Sequence, residues 1–259
     1  MPRKPTSRTS AGYGSPFLTR VEIREDRRDP DLFPFTLPLF REPLAIDFAT
    51  PVTFLVGENG SGKSSLLEAL AWSAGFNTTG GNRDHRFTDE GDGSALGRAL
   101  WLGWRQKVTT GFFLRAETFF NFASHLESMG SDFRAYGGQS LQKMSHGEAF
   151  LSLFQHRFDD GLYLLDEPEA ALSPQRQLAF LGILHELAAS KAAQFVIATH
   201  SPILLTLAGA TVLSLDEGGL HVVPYADTEH FRLTRDFLNA PERYFRHLFA
   251  GEDDRAGGE

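Results

Sequence analysis

The chain has no cysteine, and only three methionines and three tryptophans among 259 residues. Without a thiol it can have neither a disulfide framework nor a thiolate metal site, and a reducing compartment is the natural reading. Long apolar runs are missing as well. The nearest candidate, residues 203–215, is broken by Thr206, Gly209 and Thr211, and it falls short of the roughly eighteen apolar residues that a membrane span needs. The first residues, MPRKPTSRTSAGYGSP, are basic and polar with no apolar centre, so they do not read as an export signal. Basic side chains are the minority sign. The net charge of −8 argues against a broadly basic nucleic-acid surface and leaves room only for a local patch. These absences predict a cytoplasmic protein with no direct membrane insertion.

What remains is a chain with 41% apolar residues, enough for one large α/β domain or for one domain with a small helical insertion. Residues 1–16 and 251–259 are rich in small, polar or charged residues without periodicity and read as disordered tails around a single domain at 17–250. Leu18 to Ile23 and Leu44 to Phe48 alternate apolar and polar, and Val52 to Val56 is apolar apart from Thr53, so strands are expected at all of these. Between the first two lies LFPFTLPLF, where prolines forbid a central strand. Phe33, Phe35 or Phe40 could stack on an adenine ring there, or the loop could simply pack on a sheet edge.

Residues 75–158 read as a helical and irregular lobe. It holds a polar, glycine-rich excursion, a more helical Ala95 to Trp104, a short strand at Gly111 to Arg115, and helical spacing through Phe119, Phe120, Phe122 and Leu126. Phe150, Leu151, Phe154 and Phe158 form one face of a further helix, and Leu162 to Leu165 is a buried strand. Ser173-Pro174 supplies an N-cap and a first-turn proline to a helix carrying Leu178, Leu181, Leu184 and Leu187. Gln194 to Ala198 is another strand, and Thr211 to Leu215 with Leu220 to Pro224 reads as a strand pair. His85, His125 and His146 are too scattered to suggest a metal site.

The organising stretch is VTFLVGENGSGKSS, Val52 to Ser65, which fits G-x-x-x-x-G-K-[ST] between a strand and a helix. A polyphosphate is held by backbone N–H groups pointing inward, so Gly57, Gly60 and Gly62 supply the backbone angles while Glu58, Asn59, Ser61 and Ser65 complete the loop. Lys63 places a charge on the outer phosphates, and Ser64 offers a hydroxyl to Mg²⁺. The helix that follows, with Leu66, Leu67 and Leu70 inward and Glu68 outward, turns its positive end to the anion.

Leu162 to Glu167, LYLLDE, is an apolar strand ending in two acids. In such a pair the first carboxylate, Asp166, holds the metal and the second, Glu167, polarises the attacking water. Ser145-His146-Gly147-Glu148 has two readings, a capping box or an anion site at a helix N-terminus.

Taken in order, GENGSGKSS, SHGE, LYLLDEPEAALS and ATHSP resemble the phosphate loop, signature, magnesium strand, dimer loop and switch histidine of the ATP-binding-cassette (ABC) ATPase superfamily. From about Phe17 to Phe249 the chain resembles small stand-alone bacterial ATPases of that superfamily, often labelled AAA-family ATPases. The resemblance implies a P-loop fold of ABC-ATPase type, in which a mixed central sheet is flanked by helices, with a small helical lobe and an N-terminal antiparallel strand region. It also implies a head-to-tail homodimer around two ATP molecules. Residues 57–65 of one subunit would hold the phosphates, and Ser145 to Glu148 of the other would cap the γ-phosphate. Glu167 would be the general base, His200 would contact the γ-phosphate, and Glu169 to Ser173 would link the two sites. The family usually has a glutamine after the strand here placed at Gly111 to Arg115, and this chain has Ala116-Glu117. Glu117 either takes that metal-contacting role or is a surface acid.

Signatures ending in glutamate resemble those of chromosome-maintenance and repair members, but no sustained heptads lie between Lys63 and Ser145, so there is no long coiled-coil arm. The expected function is a soluble ATP-driven switch or clamp acting on nucleic acid or a protein partner. The alternative is the energising subunit of a membrane transporter. A P-loop kinase fits less well, because Ser145 to Glu148 and His200 would have no task.

Overall fold

The computed structural model describes residues 14–77, 93–116, 119, 144–157, 160–216 and 219–249. Two sheets share the work. The larger is built of β3 (Val52–Val56), β5 (Gly111–Arg115), β6 (Gly161–Asp166), β7 (Ala193–Ala198), β8 (Thr211–Asp216) and β9 (Gly219–Val222), in the order β5-β6-β7-β3-β8-β9. Its pairs from β5 through β8 are parallel, and β9 returns antiparallel to β8. Strands β3, β6 and β7 are buried at every residue, as expected of a parallel sheet covered on both faces. The smaller sheet, in the order β2-β1-β4, is antiparallel and consists of β1 (Leu18–Ile23), β2 (Ala45–Asp47) and β4 (Leu100–Trp104).

One face of the large sheet packs against α2 (Lys63–Ala74), α3 (Gly93–Ala99) and the small sheet, around Leu66, Leu70, Phe40 and Ile46. The other packs against α4 (His146–Arg157) and α5 (Pro174–Ala189), around Phe150, Phe154, Phe180 and Phe195. Gln194 ties the two sheets together: its buried Oε1 accepts from the N–H groups of Phe17 and Leu18, and its Nε2 donates to the Leu18 carbonyl. The remaining helices are the short α1 (Pro38–Arg41) and, at the C-terminal end, α6 (Glu229–Asn239) and α7 (Pro241–Leu248). No helix among the described residues is long and apolar enough to cross a membrane.

The mixed α/β architecture expected from the sequence is present, with local corrections. The helical reading of Ala95 to Trp104 holds only to Ala99; Leu100 to Trp104 is a strand, because its register against β1 satisfies its backbone groups there. On α5 the buried face is Gln177, Phe180 and Leu184, with Leu178 61% exposed. Of the evenly spaced leucines, Leu184 is buried and Leu181 and Leu187 pack against the core, so only Leu178 faces outward. Glu68 does not point outward freely; it pairs with Arg115 and is largely buried. The helical spacing expected around Phe122 and Leu126, together with Phe158, His85, His125 and Glu117, lies outside the described residues.

Candidate functional site

The phosphate loop follows β3 and opens α2. Gly57, at φ +149°, could not carry a side chain: a Cβ would lie 2.3 Å from the Leu215 carbonyl oxygen of the neighbouring β8. Gly62 is left-handed and stands at the helix N-cap, where no side chain caps the first turn. The first-turn N–H groups and the positive end of the helix dipole are therefore left for an anion. Lys63 folds back over the loop, its Nζ donating to the Gly57 and Glu58 carbonyls at 2.6 and 2.8 Å. Burial lowers its pKa, while Glu167, Asp166 and Glu169 oppose that shift.

Ser64 Oγ donates to Asp166 Oδ1 at 3.1 Å, and Arg115 Nε donates to Asp166 Oδ2 at the same distance. Arg115 also pairs with Glu68. A small cavity of about 200 Å³ opens here, lined by Ser64, Arg115, Ala116, Asp166 and Glu167. One hydroxyl and one carboxylate beside a phosphate cradle suit Mg²⁺, which keeps most of its ligands as water and phosphate. No cluster of three or more histidine or acid groups able to cage a metal occurs among the described residues, and a P-loop magnesium site needs none.

Glu167 follows β6 with left-handed backbone angles, φ 49° and ψ 54°, a conformation rare for a non-glycine residue. Its N–H is held by the Ala198 carbonyl at 3.0 Å. Facing it from the end of β7 is His200, with Nε2 3.6 Å from Glu167 Oε1 and no hydrogen-bond partner of its own. That separation is too long for a hydrogen bond and leaves the buried Nε2 available to a ligand oxygen. Glu169 anchors the histidine's backbone, its Oε1 accepting from the His200 N–H at 2.6 Å. Burial pushes the Glu169 carboxyl up, and the donated hydrogen bond only partly opposes this. His200 Nδ1 meets His230 Nε2 at 2.7 Å. Burial first, then the charges of Lys63 and His230, brings the His200 pKa from 6.5 down to about 4.

Beside the loop lies a cleft of about 670 Å³, within the range of small-ligand sites. Its apolar wall includes Pro38, Leu39, Val56, Leu215 and Val223. The aromatic loop thus contributes Pro38 and Leu39. Phe35 and Phe40 are corrected as stacking candidates, since they are 1% and 0% exposed in the core; Phe33 is exposed but does not line the cleft.

The phosphate-loop residues, Asp166, Glu167 and His200 converge on one mouth. Ser145 and Glu148 sit elsewhere. The Ser145 N–H donates to Glu148 Oε2 at 3.0 Å, the return bond of a capping box, while Arg176 of α5 donates to Ser145 Oγ and to Glu148 Oε1. Ser145 and then Arg176 hold the Glu148 carboxyl below its usual range. At Gly147 a Cβ would lie 2.6 Å from the Arg176 side chain, so a larger residue here would make Arg176 shift. Among the described residues, no hydrogen bond joins Ser145 or Glu148 to the phosphate loop of the same chain. The side chain of His146 and all of Glu117 lie outside the described residues.

Sequence reasoning missed Arg115, Arg176 and His230. Only His230 left a signal, the Thr228-Glu229 pair at the start of an amphipathic run, although the Thr228 hydroxyl donates to the Tyr225 carbonyl and does not cap the helix.

A family model described as an AAA domain matches residues 37–99, and a second AAA-domain model, grouped with the AbiEii toxin of a type IV TA system, matches 141–206. These spans hold residues 57–65 and then Ser145 to Glu148, Asp166, Glu167 and His200. The fold is mixed α/β, with a glycine-rich loop between β3 and α2. The chain is 40% identical over 77 residues to the chromosome partition protein Smc of Halothermothrix orenii, a match covering 27% of the chain and 6% of Smc. It is 43% identical over 51 residues to the DNA replication and repair protein RecF of Thermosynechococcus vestitus, covering 20% of the chain and 14% of RecF. The matches thus span only a small part of either relative. The SMC head domain from Thermotoga maritima aligns with 80% of this chain and 98% of its own, at 19% identity and a TM-score of 0.46.

Proposed function

We propose that the protein binds Mg-ATP in the loop at residues 57–65, hydrolyses it with Glu167 as general base, and completes each site with Ser145 to Glu148 of a second copy. The observation that carries this is the division of the site. Lys63, Ser64, Asp166, Glu167 and His200 converge on one mouth, whereas Ser145 is held by Arg176 and, among the described residues, has no hydrogen bond to the phosphate loop of its own chain. A head-to-tail homodimer gives each half its complement.

In this reading Lys63 exchanges the Gly57 and Glu58 carbonyls for phosphate oxygens. Ser64 and Asp166 would hold Mg²⁺, which neutralises phosphate charge when bound. Arg115 holds Asp166 in place through its Nε–H to Oδ2 hydrogen bond, and Glu117 is a further candidate for that shell. Glu167 takes the proton of the attacking water, and His200 Nε2 donates to the γ-phosphate. Glu169 to Ser173 runs from the His200 anchor to the N-cap of α5, the helix carrying Arg176, and so links base, switch and signature. ATP-dependent closure then serves as a soluble cytoplasmic switch or clamp on nucleic acid or a protein partner. The transporter-subunit reading uses the same chemistry and differs in its partner; co-purification with a membrane subunit would decide for it.

The test is the solution mass of Glu167→Gln by light scattering, with and without Mg-ATP. A dimer that forms with ATP and is lost on adding Ser145→Ala is expected. A monomer in both conditions, in protein shown to bind ATP, overturns the head-to-tail arrangement.

A further inference from the structure

Of the groups at the mouth of the site, His230 alone comes from the C-terminal helix α6. It is the second residue of that helix, whose N-cap Thr228 is buried, although no residue within α6 itself is. The His230 ring meets His200 edge to face, with centroids 4.6 Å apart, and also lines the space shared by Glu58, Asn59 and Glu167. With no buried residue in the helix, core packing does not impose this contact.

The 2.7 Å approach of His200 Nδ1 and His230 Nε2 requires one nitrogen to carry a proton and the other to be bare. The carboxylate of Glu167, 3.6 Å from His200 Nε2, decides between the alternatives. It favours an N–H at that position and opposes a lone pair. A neutral His200 with its proton on Nε2 has a bare Nδ1, so His230 must be the donor. Burial lowers the pKa of both rings, which keeps the pair neutral.

We propose that His230 is a positioning residue of the ATPase site, its Nε2–H donating to His200 Nδ1 and holding His200 as the Nε2–H tautomer that faces the γ-phosphate and Glu167. The inference rests on the ATPase reading for its kinetic consequence and on geometry alone for the tautomer.

The test uses the full chain with His230→Ala and His230→Gln, the glutamine offering an amide N–H in place of the ring N–H. With Mg-ATP, kcat in His230→Ala falls about tenfold, the scale of one lost hydrogen bond in the transition state, while KM changes by less than about twofold. His230→Gln recovers most of kcat. In nitrogen NMR of histidine-labelled protein without nucleotide, His200 shows the Nε2–H tautomer, loses it as the single form in His230→Ala, and regains it in His230→Gln. An unchanged tautomer in His230→Ala, or equal losses of kcat in both variants, overturns the role. If the unmodified chain hydrolyses no ATP, the ATPase reading fails separately, and the tautomer still decides the matter of His230.

Discussion

Ser64 Oγ donates to Asp166 Oδ1 at 3.1 Å, joining the first turn of α2 to the end of β6. The strands that deliver these residues are not neighbours. β7 lies between β3 and β6, so the bond bridges over the intervening strand at the C-terminal edge of the sheet. In open α/β sheets that edge is where ligands bind.

Replacing Asp166 by Asn removes the charge that both Ser64 and Arg115 address. Magnesium-dependent phosphate release is expected to fall by about a hundredfold. Because Ser64 and Asp166 touch, the cycle with Ser64→Ala should show a coupling of about 0.5–3 kcal/mol. Additive losses across a magnesium titration would deny that the pair acts as a unit.

Glu167→Gln keeps the shape of the site and removes the base. Turnover is expected to drop by about 10²-fold or more with ATP still bound, whereas Lys63→Ala should lose nucleotide binding. Calorimetry with ATP and steady-state phosphate release separate the two. Equal turnover in Glu167→Gln and the unmodified chain would move the base elsewhere.

Acid should weaken the fold through His200. Its pKa is 6.5 unfolded and about 4 folded, so between these values the unfolded chain takes up a proton at this position that the folded one does not. The stability it contributes is complete above pH 6.5 and is lost as pH falls toward 4. Urea unfolding at pH 7 and pH 5 is expected to show a smaller acid loss in His200→Gln than in the unmodified chain. An identical pH slope in both would contradict the depressed pKa.

Phe150 joins α4 to its support. Its ring lies 4.8 Å from that of Phe154, 5.4 Å from Phe119 and 6.0 Å from Phe180 of α5, and it is fully buried. Phe150→Ala should cost about 3–5 kcal/mol in urea unfolding. A loss below about 1 kcal/mol would mean that α4 is held by other contacts.

The central strands and the loop were readable because their signals are local. The run Val52 to Val56 and the glycines after it carry their own constraint, since only glycine fits φ +149° at Gly57 against Leu215. Ser173 and Pro174 announced α5 through capping, and Ser173 Oγ accepts from the Arg176 N–H. Leu100 to Trp104 was not readable as a strand, because what makes it one is its pairing with residues more than seventy positions away in β1. Phe35 and Phe40 looked like ring-stacking candidates only until burial placed them in the core.

The sequence by itself determined the chemistry available: a glycine-rich loop, an acid pair after a buried strand, a capped helix start at Ser145 to Glu148, and a histidine after another strand, each written in contiguous residues whose spacing follows from backbone geometry. Tertiary structure alone decided which distant groups tune them. Arg115 on Asp166, Arg176 on Ser145 and His230 on His200 are hydrogen-bond contacts within about 3 Å between residues far apart in the chain or on different elements. No periodicity encodes such partners, because hydrogen bonding is read in space and depends on how strands and helices pack, not on the order in which the chain supplies them.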